Sequence, residues 1–270
     1  MTDVSRQSMP AGWCRHMKST MHDNHSFREK ITLVCIHYAG GSASAFAGWQ
    51  KKFRLSNVDI VPLELPGRGF RFNEPLKTDF NDAVEDMSSQ LAALGAKPHI
   101  LFGYSLGGLI AWELACRQVE RGNAGLKGLI VAACGAPGAQ SYQQVHLKSD
   151  DDLLAQIGDI DGDLFSSEAL QMPALRAVLL SVLRADFSLA ASYRKPSASR
   201  IHLPLHVFHS GSDLHVTREA AAAWQERSHH APRLTEVAGG HFFIWNNQAT
   251  FLSMLDSHVE EIWRNSDPAR

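Results

Sequence analysis

The sequence predicts an α/β protein with a mostly parallel central sheet flanked by helices. Three observations lead there. From residue 31 onward, short apolar runs of strand character alternate with stretches of helical period. Several of those runs are apolar almost throughout, as strands covered on both faces must be. The one long break in the alternation is itself helical in pattern.

The first strand is ITLVCIH (31–37), followed through a glycine turn by SASAFAGWQKKF (42–53), whose apolar residues gather on one helical face. VDIVPLEL (58–65) is the second strand and FNDAVEDMSSQLAAL (80–94) the helix after it. HILFGY (99–104) then leads directly into LGGLIAWELACRQVE (106–120), and LKGLIVAAC (126–134) is the fourth strand. LPLHVFH (203–209), REAAAAWQER (218–227), RLTEVAG (233–239) and QATFLSMLDSHVEEIW (248–263) complete the alternation as strand, helix, strand and helix.

Between Cys134 and Leu203 the alternation breaks, and the strong patterns left are SDDDLLAQIG (149–158) and PALRAVLLSVLRADFSLAASY (173–193). A structureless loop of that length is uncommon in a compact domain, so the segment at about 138–200 is expected to be a helical insertion lying over the sheet. Ser149 followed by Asp150, Asp151 and Asp152 has the character of a helix N-terminus, where acidic groups offset unpaired N–H groups and the helix dipole. Leu175, Val178, Leu179, Val182 and Leu183 form an apolar stripe expected to pack into a core, with the wall of an acyl pocket as the alternative.

A chain of 270 residues can build one substantial core, so a single catalytic domain over 31–270 is expected. The polar leader, residues 1–30, lacks helical or strand periodicity and is expected to be a flexible extension. A net charge of -2 gives no electrostatic footprint for nucleic acid. Cys14, Cys35, Cys116 and Cys134 lack paired spacing and are expected to be reduced thiols, neither a disulfide frame nor a metal site. No apolar run is long enough to span a bilayer and no secretory leader is evident, so a cytoplasmic protein without a membrane partner is expected. No cofactor is expected, and a monomer is.

The sharpest motif is Gly103-Tyr104-Ser105-Leu106-Gly107, set between a strand and a strongly helical segment. That placement is what the nucleophile elbow of the α/β-hydrolase fold requires. A tight turn strains the backbone of Ser105 and lifts its hydroxyl above the sheet, and glycines stand where a Cβ would collide with strand or helix. The bland alternative is a glycine-rich strand-to-helix turn that only packs closely.

Serine alone is a weak nucleophile, so a base must reach it and a third group must orient the base. In this fold the chain order is Ser, then Asp or Glu, then His. Asp213, in the turn HSGSD after the fifth strand, and His241, in a glycine-flanked turn after the sixth, fit that order at strand ends where open α/β sheets build their sites. Among 14 histidines placement must decide. His37, His99, His206 and His209 lie in or beside strands and are read as structural, and His229 and His230 as exposed loop residues. His215 competes only by its closeness to Asp213. Asp186, within the insertion, is the weaker rival to Asp213 and is expected on a helix surface or lining a pocket. Backbone donors for an oxyanion should come from Leu106 and from the loop His37-Tyr38-Ala39-Gly40-Gly41-Ser42, where Ala39 is the natural second donor.

With these residues in view the chain resembles the stand-alone type II thioesterases that serve nonribosomal peptide and polyketide synthases. The resemblance spans about 31–264 and rests on HYAGGSASAF (37–46), PLELPGRGFRFNEP (62–75), GYSLGGLIAWELA (103–115), RADFSLAASY (184–193), HSGSDLHV (209–216) and GGHFFIW (239–245). It implies removal of acyl groups from the phosphopantetheine arm of acyl- or peptidyl-carrier proteins, with Ser105, Asp213 and His241 on the catalytic positions and Ala39 and Leu106 on the oxyanion donors. It also implies that the insertion is the lid over the acyl pocket. A siderophore assembly line such as one making yersiniabactin is a setting it suggests. Tyr104 and Leu106 depart from the His and Met of many relatives, which bears on pocket shape more than on catalysis, and the leader before residue 31 is atypical. Two other functions stay open from the residues themselves: a small-molecule carboxylesterase with the same triad, and a noncatalytic binding protein of the same fold.

Overall fold

The structure is a computed structural model that describes residues 30–139, 145–158, 171–194 and 200–266. Residues 1–29 of the leader, Cys14 among them, and part of the insertion segment lie outside the described residues. The strands are β1 (Ile31–Ile36), β2 (Val58–Leu63), β3 (His99–Tyr104), β4 (Leu126–Ala132), β5 (Leu205–His209) and β6 (Arg233–Glu236). They form one sheet in the order β2-β1-β3-β4-β5-β6, with every neighbouring pair parallel. All six apolar runs quoted from the sequence become strands. β1 and β3 are buried at every residue, which is why their sequences show no polar alternation.

The helices are α1 (Trp49–Lys52), α2 (Phe80–Ala92), α3 (Leu106–Glu120), α4 (Asp150–Gly158), α5 (Pro173–Ser192), α6 (Arg218–Ala222), α7 (Phe243–Asn246) and α8 (Gln248–Asn265). The two faces of the sheet bury different side chains of the same strand. Val34 and Ile36 of β1 pack into a core with α2, α3 and the end of α5, while Leu33 and Cys35 pack into a second core with Trp49 and α8. α8 shows how a helix is held there: Phe251, Leu255, Val259 and Ile262 recur every three or four residues and are fully buried. Burying each such side chain contributes roughly 1.5–3 kcal/mol. Cys35, Cys116 and Cys134 are buried free thiols.

The insertion follows β4. α4 starts as expected: the Asp152 N–H donates to Ser149 Oγ at 3.2 Å, and Asp150 and Asp151 pair with Arg184 and Arg176 of α5. The apolar stripe of α5 divides, which corrects part of the expectation. Val182 and Leu183 are buried, whereas Leu175 and Val178 are 48% and 40% exposed. Periodicity gives a helix a face, and α5 finds a core to set it against only from Leu179 and Leu180 onward.

Among the described residues no helix is long and apolar enough to cross a membrane.

Candidate active site

The chain runs from β1 outward to β2 and then returns to the other side of β1 as β3, so β1 and β3 flank the switch point of the sheet. Ligand sites of open α/β sheets form outside the carboxyl ends of strands at that crevice. The Ala39 loop leaves β1 there and Ser105 leaves β3 there. Packing holds the two together: a Cβ on Gly107 would lie 2.3 Å from the carbonyl oxygen of Ile36 and 2.6 Å from that of His37. A Cβ on Gly103 would meet the Gly107 carbonyl oxygen at 2.1 Å. Both glycines of the motif are therefore demanded by backbone, not by flexible side chains.

Ser105 stands at φ 52, ψ −117, a conformation costly for a residue with a Cβ. Its N–H is pinned to the Ala132 carbonyl at 2.8 Å and its carbonyl accepts from Gly108 at 2.8 Å, so the strain is sustained from both sides. The hydroxyl projects at the N-terminus of the 15-residue helix α3, where the dipole favours negative charge.

Asp213 and His241 are brought to that hydroxyl from the ends of β5 and β6. The Ser105 hydroxyl lies 3.1 Å from His241 Nε2, and His241 Nδ1 donates to Asp213 Oδ2 at 2.8 Å. Asp213 Oδ1 accepts the N–H groups of His215 at 2.8 Å and Val216 at 3.0 Å. Burial alone would raise the Asp213 carboxyl, but the hydrogen bond from His241, the His241 charge and the two backbone N–H groups hold it below the ordinary carboxylate value. Ionised, it favours the tautomer with the proton on Nδ1, which leaves Nε2 as an acceptor toward Ser105. One residue before each partner, Ser212 Oγ accepts the Gly240 N–H at 3.1 Å and ties the two turns together. The rival histidine, His215, sits with its ring 5.6 Å from that of His241 and contributes its N–H to Asp213.

The loop after β1 is braced on three sides. Tyr38 Oη accepts from Trp245 Nε1 at 3.2 Å, linking the loop to the helix after His241. His37 Nδ1 donates to the Tyr38 carbonyl at 2.9 Å, and the Ala43 N–H donates to Glu64 Oε1 at 2.9 Å. The third brace is Asp186, and here the expectation of a helix-surface or pocket-lining role is corrected: Asp186 is fully buried and bound to Arg68 and to the Gly40 N–H. Reasoning from sequence also missed Tyr104 as a support. Its ring is fully buried beside that of His241 and its hydroxyl donates to the His241 carbonyl. The signals for the Asp186 brace were present only as the segments LPGRGFR and RADF, whose pairing no spacing reveals.

Ser105, His241 and Asp213 join a hydroxyl, an imidazole and a carboxylate in one hydrogen-bonded chain, an arrangement that suits acyl transfer. A family model described as the thioesterase domain matches residues 31–259. The gramicidin S biosynthesis protein GrsT of Aneurinibacillus migulanus is 30% identical over 227 residues, covering 84% of this chain and 88% of that protein. The solved thioesterase RedJ, from the prodiginine biosynthetic pathway of Streptomyces coelicolor, matches with TM-score 0.78 at 30% identity over 85% of this chain and 90% of its own. YbtT, a type II thioesterase from the yersiniabactin NRPS/PKS pathway, matches with TM-score 0.76 at 26% identity over 87% and 95%. The chain therefore belongs to the thioesterase domain family and is an enzyme that hydrolyses thioesters.

Proposed function

We propose that this enzyme is a type II thioesterase that clears acyl groups from the phosphopantetheine arm of carrier proteins in nonribosomal peptide or polyketide synthesis. The chemistry rests on one observation above all, the 3.1 Å and 2.8 Å contacts that join Ser105, His241 and Asp213. The substrate class is supported by relatives that belong to gramicidin S and yersiniabactin NRPS/PKS pathways.

His241 Nε2 takes the Ser105 proton as Oγ attacks the thioester carbonyl carbon. The resulting oxyanion is held by the N–H groups of Ala39 and Leu106, a pair of which each member is worth about 10²–10³ in turnover. Collapse of the tetrahedral intermediate breaks the carbon–sulfur bond, and the pantetheine thiol leaves with the proton from His241. Water then attacks the acyl-enzyme with His241 again as base and releases the acid. Asp213 holds the imidazole throughout. The insertion helices α4 and α5 act as part of a lid over the acyl pocket.

Intact-mass measurement on a panel of acylated carrier proteins tests the assignment. Wild-type enzyme should unload at least one of them faster than it cleaves a simple ester, and Ser105→Ala should unload none while retaining the wild-type melting temperature. Unloading by Ser105→Ala would end the serine mechanism. A wild-type enzyme that prefers the simple ester would instead be a carboxylesterase of the same fold.

A further inference from the structure

The loop that carries Ala39 is gripped by a helix of the insertion. Asp186, in the second half of α5, is 0% exposed and receives both arms of a guanidinium: Arg68 Nη1 donates to Oδ2 at 2.6 Å and Nη2 to Oδ1 at 2.7 Å. The same Oδ2 accepts the Gly40 N–H at 2.7 Å, and Arg68 Nη1 also donates to the Gly41 carbonyl at 3.4 Å. The two members of one ion pair thus hold the two residues directly after Ala39.

A buried ion pair is a poor source of stability, because removing two charges from water offsets most of their attraction. What a two-pronged guanidinium–carboxylate contact does well is fix geometry. Geometry needs fixing here: Gly40 sits at φ 79, and a glycine left unanchored would let the neighbouring peptide units swing. Helix α5 in turn belongs to the insertion. Arg184 binds the carbonyls of His146 and Lys148 and the carboxylate of Asp150, and Leu180, Leu183 and Phe187 share a separate apolar cluster with Val145 and Leu153.

We infer that the Arg68–Asp186 pair is a positioning device that makes the Ala39 oxyanion donor depend on the seat of α5, so that hydrolysis requires the insertion helix to be docked. This rests on Ala39 serving as that donor. Arg68 and Asp186 are positioning residues, acting on the reacting atoms only through the loop.

Two variants test the inference in the full-length enzyme: Asp186→Asn, which keeps shape but weakens both contacts, and the double variant Arg68→Met/Asp186→Leu, which leaves no orphaned charge. The substrate is a p-nitrophenyl ester, so that carrier recognition plays no part. The probe is an alkyl trifluoromethyl ketone: Ser105 Oγ adds to its carbonyl carbon, the serine proton passes to His241 Nε2, and the carbonyl oxygen becomes the oxyanion. Both variants should lose about 10- to 100-fold in kcat with KM within about threefold, and bind the ketone more weakly by a matching factor. If the pair only stabilises the fold, the folded double variant will regain wild-type kcat and ketone affinity, which overturns the inference. Ala39→Pro separates the underlying assumption: full activity in that variant removes Ala39 as a donor and the inference with it, whereas its loss alongside fully active pair variants sinks the pair alone.

Discussion

The phenol of Tyr104 and the main-chain carbonyl of His241 are joined by a 2.5 Å hydrogen bond across the floor of the site. Tyr104 is the last residue of β3, directly before Ser105, and its oxygen also accepts the Ile244 N–H at 3.4 Å. One fully buried side chain therefore fixes the height of the turn that carries His241 relative to the strand that leads into Ser105. The 3.1 Å contact between Ser105 and His241 is set from below as well as by Asp213 from the side.

Tyr104→Phe removes that bond and leaves the His241 carbonyl short of a donor while keeping the ring that packs on Phe242 and Phe243. Leaving such a buried group unsatisfied costs about 1–3 kcal/mol. The melting temperature should fall accordingly. Turnover should fall severalfold with KM little changed, measured on any ester that Ser105 cleaves; unchanged kcat would show that the base does not need this support.

Gly107→Ala is expected to be far worse than its one added carbon suggests. The new Cβ would meet the carbonyl oxygens of Ile36, the last residue of β1, and of His37 directly after it, which cannot step aside. Overpacking of a yielding core costs about 1–3 kcal/mol, and unyielding backbone should exceed that. A denaturant midpoint close to wild type would contradict the close approach of β1 and α3.

These features differ in how far the sequence exposed them. β1 and β3 were legible because burial on both faces leaves unbroken apolar runs, and the meeting of Ser105, Asp213 and His241 because each sits in a glycine-marked turn at a strand end. Asp186 was not: a lone acid in a helical pattern reads as solvated surface, and its partner Arg68 is 118 residues away. Leu175 and Val178 misled in the opposite sense, since a stripe states which residues share a face but not whether anything lies against it. The support from Tyr104 was hidden because its acceptor is a main-chain carbonyl, which has no sequence signature.

Asp213→Asn should act through the tautomer of its partner. The amide oxygen can still accept from His215 and Val216, which turns the amide nitrogen toward His241 Nδ1. A donor at that place leaves Nδ1 as acceptor and puts the proton on Nε2, where it can no longer take the serine proton. Loss of about 10⁴ in kcat is expected with the fold intact. Steady-state kinetics beside a circular dichroism melt would check it, and a loss below tenfold would deny Asp213 the orienting role.

Stability should depend on pH through the buried histidine pair His206 and His258. His206 Nδ1 and His258 Nδ1 are 3.0 Å apart, and His258 Nε2 is 3.2 Å from Thr235 Oγ1. One ring must offer a proton and the other a lone pair, so protonating the acceptor sets two N–H groups against each other. Burial, then the charge of Arg233, pushes His206 down; burial, then His206 and Arg233, does the same to His258. His37, under the Ala39 loop, is brought to about 4, mainly by burial and then by Arg68, against the opposing effects of Tyr38 and Asp186. Groups whose pKa is lower in the folded than in the unfolded chain leave stability unchanged above about 6.5 and remove it as pH falls below that value, because the unfolded chain then binds the protons. Between pH 6.5 and 5 each histidine kept neutral costs about 2 kcal/mol. Depressed carboxylates such as Asp213 act in the same direction only below about pH 4, so the two windows separate. The melting temperature should hold from pH 8 to 7 and drop by at least about 5 °C by pH 5. The variant His206→Phe/His258→Phe should show a visibly shallower drop; an identical slope in that variant would place the acid sensitivity elsewhere.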